Sequence, residues 1–275
     1  MAMTMAASIS AAVVQLLSRD DVAANLAEAR RHVEDAARQG ATLVALPEYF
    51  CFIGRDETAR VALAETPGDG PIQHALAALA RETGVWLLGG TVPIRGADAQ
   101  RAYNSSLLFD PDGVAVSRYD KLHLFSFQDG DEQHAEAETM LAGEQVVSAA
   151  GPFGSLRLSV CYDLRFPELY RAAPAPDVIA VPAAFTYTTG LAHWSLLLRA
   201  RAVENQAFVL APAQCGQHGN GWRTYGHSMI VDPWGVVLAE LDQQPGVALA
   251  TLDAERLRAT RVRLPALAHR RLAGA

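Results

Sequence analysis

Two pairs of segments in this chain echo each other in the same order, and that limits the folds open to it. Tyr103-Asn-Ser-Ser106-Leu-Leu-Phe-Asp110-Pro111-Asp-Gly113-Val114 parallels Tyr225-Gly-His-Ser228-Met-Ile-Val-Asp232-Pro233-Trp-Gly235-Val236. Each reads as a strand, an Asp-Pro-x-Gly turn and a second strand, because Asp, Pro and Gly are the residues a tight turn selects. Upstream of each lies a shorter echo, Leu43-Val-Ala-Leu-Pro47 and Val178-Ile-Ala-Val-Pro182. Two half-chains of similar βαβ-plus-hairpin content imply two pseudo-symmetric sheets packed together, with helices outside.

The rest of the hydrophobic pattern agrees. Residues 8–16 are β-like, and residues 21–39 carry helical spacing in Val22, Leu26, Ala29, Val33 and Ala36, ended by Gly40. Short apolar runs at 42–46, 85–92, 156–160, 177–181 and 207–211 read as buried strands. Segments 72–82, 167–172 and 191–206 read as helices, the last with Leu191, Trp194, Leu198 and Ala202 on one face. Such alternation predicts an α/β protein. No linker separates the halves, so residues 1–275 are expected to form a single domain. The stretch 126–143 is acidic and lacks periodicity; it is expected to be an irregular loop walling a site just after Lys121.

With 275 residues, half of them apolar, the chain can bury a large core. Its net charge of −7 and scattered basic residues argue against nucleic-acid binding. No run of about 18 apolar residues predicts a membrane span, and the apolar opening lacks a basic leader, so it reads as a first core strand. Cys51, Cys161 and Cys215 are odd in number and widely spaced. They form neither a disulfide framework nor a metal site, and a cytoplasmic setting is expected.

Cys161 ends an apolar run and is followed at once by the polar segment Tyr162-Asp-Leu-Arg165-Phe-Pro-Glu168. A thiol at the mouth of a buried strand is placed where α/β enzymes put nucleophiles. Cys51 and Cys215 lack such a setting and read as packing residues. Glu48 follows a strand-ending proline. Lys121 is the only lysine beside 22 arginines, so its position calls for a compact, rotatable ammonium that a guanidinium cannot replace. Carboxylate, ammonium and thiol together suffice for covalent amide hydrolysis. A competing Cys–His scheme would draw on His123, His193, His218 or His227.

LPE around Glu48, YDKLHLF around Lys121 and CYDLRFPE around Cys161 resemble the three signature segments of the nitrilase superfamily of carbon–nitrogen hydrolases, over nearly the whole chain. Segments 182–206, 213–218, 225–235 and 264–271 resemble its deaminated-glutathione amidase branch, close to the omega-amidases. The resemblance implies a four-layer αββα sandwich with Glu48 as general base, Lys121 stabilising the oxyanion and Cys161 as nucleophile. It also implies a second glutamate seven residues before Gly143. That is Glu136, with Glu138 left as the alternative because Ala142 stands where the family commonly has Pro.

In this scheme Glu48 takes the thiol proton and passes it to departing ammonia, and the backbone N–H of Tyr162 assists Lys121. Neither metal nor organic cofactor is required. The expected substrate is a small carboxylate-bearing amide, with deaminated glutathione first and α-ketoglutaramate or another aliphatic amide second; a catalytically silent interaction protein is the non-enzyme reading. Tyr162, Arg165, Phe185 and Thr189 are the substrate-binding candidates, Arg165 by pairing with a carboxylate unless it bridges to Asp163 or Glu168. The family resemblance implies a homodimer or higher homo-oligomer, with the Arg-rich segment 256–271 taking part.

Overall fold

The computed structural model describes residues 5–54, 58–130 and 132–272. Two mixed sheets carry the same strand order. In the first, Gly246–Leu252 lies antiparallel to Ile9–Gln15, which runs parallel to Leu43–Ala45 and then Trp86–Leu88. Ala102–Phe109 pairs antiparallel with the last of these and forms a hairpin with Ala115–Asp120. In the second, Ser148–Gly151, Gly154–Leu158, Val178–Ala180, Phe208–Ala211, Met229–Val231 and Val237–Glu240 take the same places with the same senses.

The echoed segments therefore occupy equivalent strands. Both hairpins shift register at matching points, Leu108/Phe109 and Ile230/Val231. Both turns close alike: Asp110 Oδ1 accepts from the amides of Asp112 and Val114, and Asp232 Oδ1 from those of Trp234 and Val236.

Period-two alternation sorts the side chains into layers. Ala11, Val13, Leu43, Ala45, Leu88 and Leu108 of the first sheet share one core with Leu156, Leu158, Val178 and Ala180 of the second. Their neighbours Ala12, Val14, Val44, Leu87 and Leu107 pack instead with Val33 and Ala36 of helix Val22–Arg38 and Leu76 and Leu79 of helix Pro71–Thr83. Beyond the second sheet, helices Pro167–Arg171 and Tyr187–Asn205 contribute Leu169, Tyr170, Trp194 and Leu198. The order is helix, sheet, sheet, helix. A one-residue slip in any central strand would exchange its two buried faces and force side chains shaped for one core into the other, a mispacking of about 1–3 kcal/mol at each overfilled position.

Three expectations need revision. The strand expected over 85–92 divides into Trp86–Leu88 and Val92–Arg95. Gly90 turns the chain with φ 56, and a Cβ there would fall 2.1 Å from the Pro47 carbonyl oxygen. The helix expected from 191 begins at Tyr187, capped by Thr186, and Leu191 is 65% exposed. Periodicity gives the angle at which a side chain leaves a helix, not how far the neighbouring layer extends. Finally, 126–143 is ordered into a hairpin, Ser126–Asp129 with Glu132–Ala135, then a 3₁₀ turn Glu136–Glu138 and a strand Met140–Leu141 pairing with Ala102–Phe109. Among the described residues no helix is long and apolar enough to cross a membrane.

Candidate active site

Three chain reversals at the sheet edges present the polar groups. Pro47 ends the Leu43–Ala45 run, and Tyr49 turns at φ 55. The Tyr49 amide donates to Thr91 Oγ1 at 2.9 Å, and Gln214 Nε2 donates to the Glu48 carbonyl at 3.0 Å. Lys121 follows Ala115–Asp120; its amide donates to Asn104 O, and its own carbonyl accepts from Gly143 at 2.8 Å. A Cβ on Gly143 would lie 2.2 Å from the Asp120 carbonyl oxygen, which is why a glycine closes this loop. Cys161 opens the 3₁₀ turn Cys161–Arg165 at φ 47, a costly conformation for a residue with a Cβ. Its amide donates to Pro182 O at 2.9 Å.

These reversals converge. Lys121 Nζ donates to Glu48 Oε1 at 2.9 Å and to Glu136 Oε2 at 2.7 Å. Asn104 Nδ2 donates to both carboxylates, at 2.9 Å to Glu48 and 3.1 Å to Glu136. Glu136 also accepts from Tyr49 Oη at 2.7 Å and from the Phe125 amide at 2.7 Å. Glu48 Oε2 accepts from the Ala184 amide at 2.9 Å. All three charged groups are buried, and the charges of Glu48 and Lys121 both act on the Cys161 thiol. Glu138, the alternative to Glu136, is exposed and outside this network.

Two carboxylates and one ammonium, sealed from water, would carry a net negative charge, and the surroundings divide it unequally. Burial pushes Glu48 up; Lys121 opposes this, while the charge of Glu136 adds to it. Burial acts on Glu136 in the same sense, but Lys121 and the donors from Phe125 and Tyr49 outweigh it and hold this carboxyl below its usual range. One carboxylate is thus a fixed anion and its neighbour is readier to take a proton, the division of labour that suits a base. Burial also works against the Lys121 ammonium, yet Glu136 and Glu48 together hold it well above its ordinary value. Burial and then Glu48 push the Cys161 thiol up, so the resting sulfur keeps its proton.

Beside the thiol lies a narrow cavity lined by Cys161, Tyr162, Arg165, Phe185, Thr189 and Phe125, among others. All four substrate-binding candidates are in its wall. The Arg165 guanidinium stands 5.3 Å from the Phe185 ring centroid and contacts His193 Nδ1 at 3.2 Å. Among the described residues it pairs with neither Asp163 nor Glu168. The histidines of the competing scheme are engaged elsewhere: His123 with Asp163, His193 with Arg165, His218 with Ser18 O and Thr224, and His227 with Glu240. Cys51 and Cys215 are buried, with thiols pushed by burial up to about 12.

Sequence reasoning passed over Asn104, Tyr49, Thr91 and Gln214. Asn104 did carry a signal, as a carboxamide between the apolar faces of a strand must find buried partners. The reach of Tyr49 to Glu136 and of Gln214 to the Glu48 main-chain carbonyl comes from tertiary contacts that local sequence does not announce.

A carbon–nitrogen hydrolase family model matches residues 10–262. A Synechocystis protein named deaminated glutathione amidase is 43% identical over 94% of this chain and 97% of its own length. Saccharomyces cerevisiae Nit3, described as a member of branch 10 of the nitrilase superfamily, superposes with a TM-score of 0.88 at 32% identity, covering 98% of each chain. A mutant of the amidase from Nesterenkonia sp. AN1, captured after Michael addition of acrylamide at its active-site cysteine, gives a TM-score of 0.76 at 30% identity over 94% of this chain and 98% of its own. With its buried carboxylates, lysine and cysteine on paired mixed sheets, the chain belongs to the carbon–nitrogen hydrolase family.

Proposed function

We propose that the protein is an amidase that cleaves deaminated glutathione through a thioester on Cys161. The observation that carries the reading is the buried Glu48–Lys121–Glu136 cluster against a thiol that lines a cavity. Glu48 takes the Cys161 proton as sulfur attacks the amide carbon. The new oxyanion is met by the Lys121 ammonium and the Tyr162 N–H. The C–N bond then breaks, and Glu48 returns its proton to the leaving nitrogen. Water enters, gives a proton to Glu48 and attacks the thioester, releasing the acid and restoring the thiol. Glu136 keeps Lys121 charged and oriented throughout.

Glutathione is a tripeptide, so the amide nitrogens of its deaminated form belong to peptide bonds. The leaving group is then a peptide amine; ammonia leaves only from a primary amide such as α-ketoglutaramate. In our reading Arg165 holds a substrate carboxylate at the cavity wall, with Phe185, Thr189 and Tyr162 shaping the remainder. Measuring amine release from deaminated glutathione against ammonia release from α-ketoglutaramate tests the assignment. A higher kcat/KM for the primary amide would overturn it and favour the omega-amidase reading.

The same reading gives a cytoplasmic enzyme, supported by three reduced cysteines, that acts as a homodimer or larger. Leu191 and Leu196, exposed on one long helix, support self-association. Light scattering on the eluted protein checks it; a monomer at micromolar concentration would refute it.

A further inference from the structure

Asp163 is wholly buried and does not line the cavity, yet it accepts four hydrogen bonds. Its Oδ2 accepts from Tyr119 Oη at 2.7 Å and from the Val160 amide at 2.8 Å. Its Oδ1 accepts from the His123 amide at 3.0 Å and meets His123 Nδ1 at 2.7 Å. Tyr119 Oη in turn accepts from the Leu122 amide at 3.2 Å. The donors come from two segments only. Tyr119, Leu122 and His123 flank Lys121, whereas Val160 immediately precedes Cys161.

We propose that Asp163 is a positioning residue, the joint that sets the Lys121 segment against the Cys161 turn. This rests on the functional reading of those two residues. The carboxylate also holds Val160 where the strand gives way to the positive-φ conformation of Cys161, so it restrains a backbone that is costly for a residue with a Cβ. A neutral amide cannot do this work. One end of an asparagine would turn an N–H₂ toward two donors, leaving them unpaired. Burial and the Asp163 charge keep the Tyr119 hydroxyl protonated, so it remains a donor across the working pH range.

The test uses full-length Asp163→Asn, Tyr119→Phe and the double variant, assayed for amine release from deaminated glutathione, with circular dichroism and thermal melts reporting the fold. Asp163→Asn is expected to lower kcat about 100-fold, the cost of a misplacement on the order of 1 Å, with KM within about threefold. Tyr119→Phe should lower kcat about tenfold, again without a matching rise in KM. The double variant should be no worse than Asp163→Asn, because both changes break one shared link.

Effects that multiply in the double variant would overturn the joint. So would a folded Tyr119→Phe enzyme with wild-type kcat, or losses that fall on KM. If Asp163→Asn does not fold, the split between kcat and KM in Tyr119→Phe decides alone. Cys161→Ala that retains activity, or wild-type enzyme without turnover, sinks the functional reading and the joint with it, and is seen before any variant is compared.

Discussion

Replacing Glu136 by Gln should move both limbs of the pH–rate profile the same way. Glu48 and Glu136 share the Lys121 ammonium through links of 2.9 and 2.7 Å. Their charges therefore stand on the order of 5 Å apart and repel by about 3 kcal/mol at an effective dielectric of about 20. That is worth about two pKa units on the group left to titrate. Without the Glu136 charge, Glu48 ionises more easily, its pKa falls, and the acid limb of kcat/KM shifts to lower pH by one to two units, as roughly half to all of the repulsion is lost. Lys121 loses one of the two carboxylates that hold it high, so the alkaline limb falls as well.

The plateau should also drop, by about 100-fold, because the Gln amide presents an N–H₂ either to Lys121 and Phe125 or to Tyr49 and Asn104. The assay is product release at saturating and subsaturating substrate from about pH 4 to 10, spanning the ordinary carboxyl and ammonium values. An acid limb that stays in place or rises would refute the electrostatic division of the two carboxylates.

Other substitutions probe separate parts of the site and frame. Asn104→Leu removes one donor from each carboxylate, and the loss of a hydrogen bond to a charged group, about 1.5–3 kcal/mol, should lower kcat/KM at least tenfold; unchanged kinetics would show Asn104 to be a spectator. Iodoacetamide on the folded protein should label Cys161 alone, since it is 8% exposed and lines the cavity with Glu48 at hand to take its proton, while Cys51 and Cys215 are each 1% exposed; peptide mass spectrometry showing comparable labelling at either would contradict this. Arg157→Met strips donors from the carbonyls of Leu169, Ala172 and Pro174 and should cost about 3 kcal/mol or more. A thermal melt within 2 °C of wild type, well inside the shift of roughly 2–4 °C per kcal/mol expected at this size, would contradict that.

Much of the frame is legible because its signals are local. Pro47 and Gly84 stop elements whatever surrounds them, and the two Asp-Pro-x-Gly turns announce hairpins that recur at equivalent places in both sheets. Glu48, Lys121 and Cys161 stand out because each is chemically odd for its neighbourhood. The hairpin inside 126–143 is silent for the opposite reason: its strands are short and polar, and the pairing of Met140–Leu141 with Ala102–Phe109 is a long-range event. Leu191 errs in the same way. The roles open to Tyr49 and Asp163 depend on which chain segments meet, and single-residue chemistry does not disclose that.

The two-sheet architecture has a consequence for how the enzyme would fail. Glu48 and Lys121 leave the first sheet, whereas Cys161 and the Ala184 amide leave the second. Neither half holds a working set. The distance from the Glu48 carboxylate to the Cys161 sulfur is therefore a direct gauge of how the sheets sit on one another, and a relative slide of an ångström is felt at the sulfur in full. Damage to the shared core, far from any reacting atom, would silence such an enzyme while its helices and strands remained intact, so its activity should decay before its circular dichroism does.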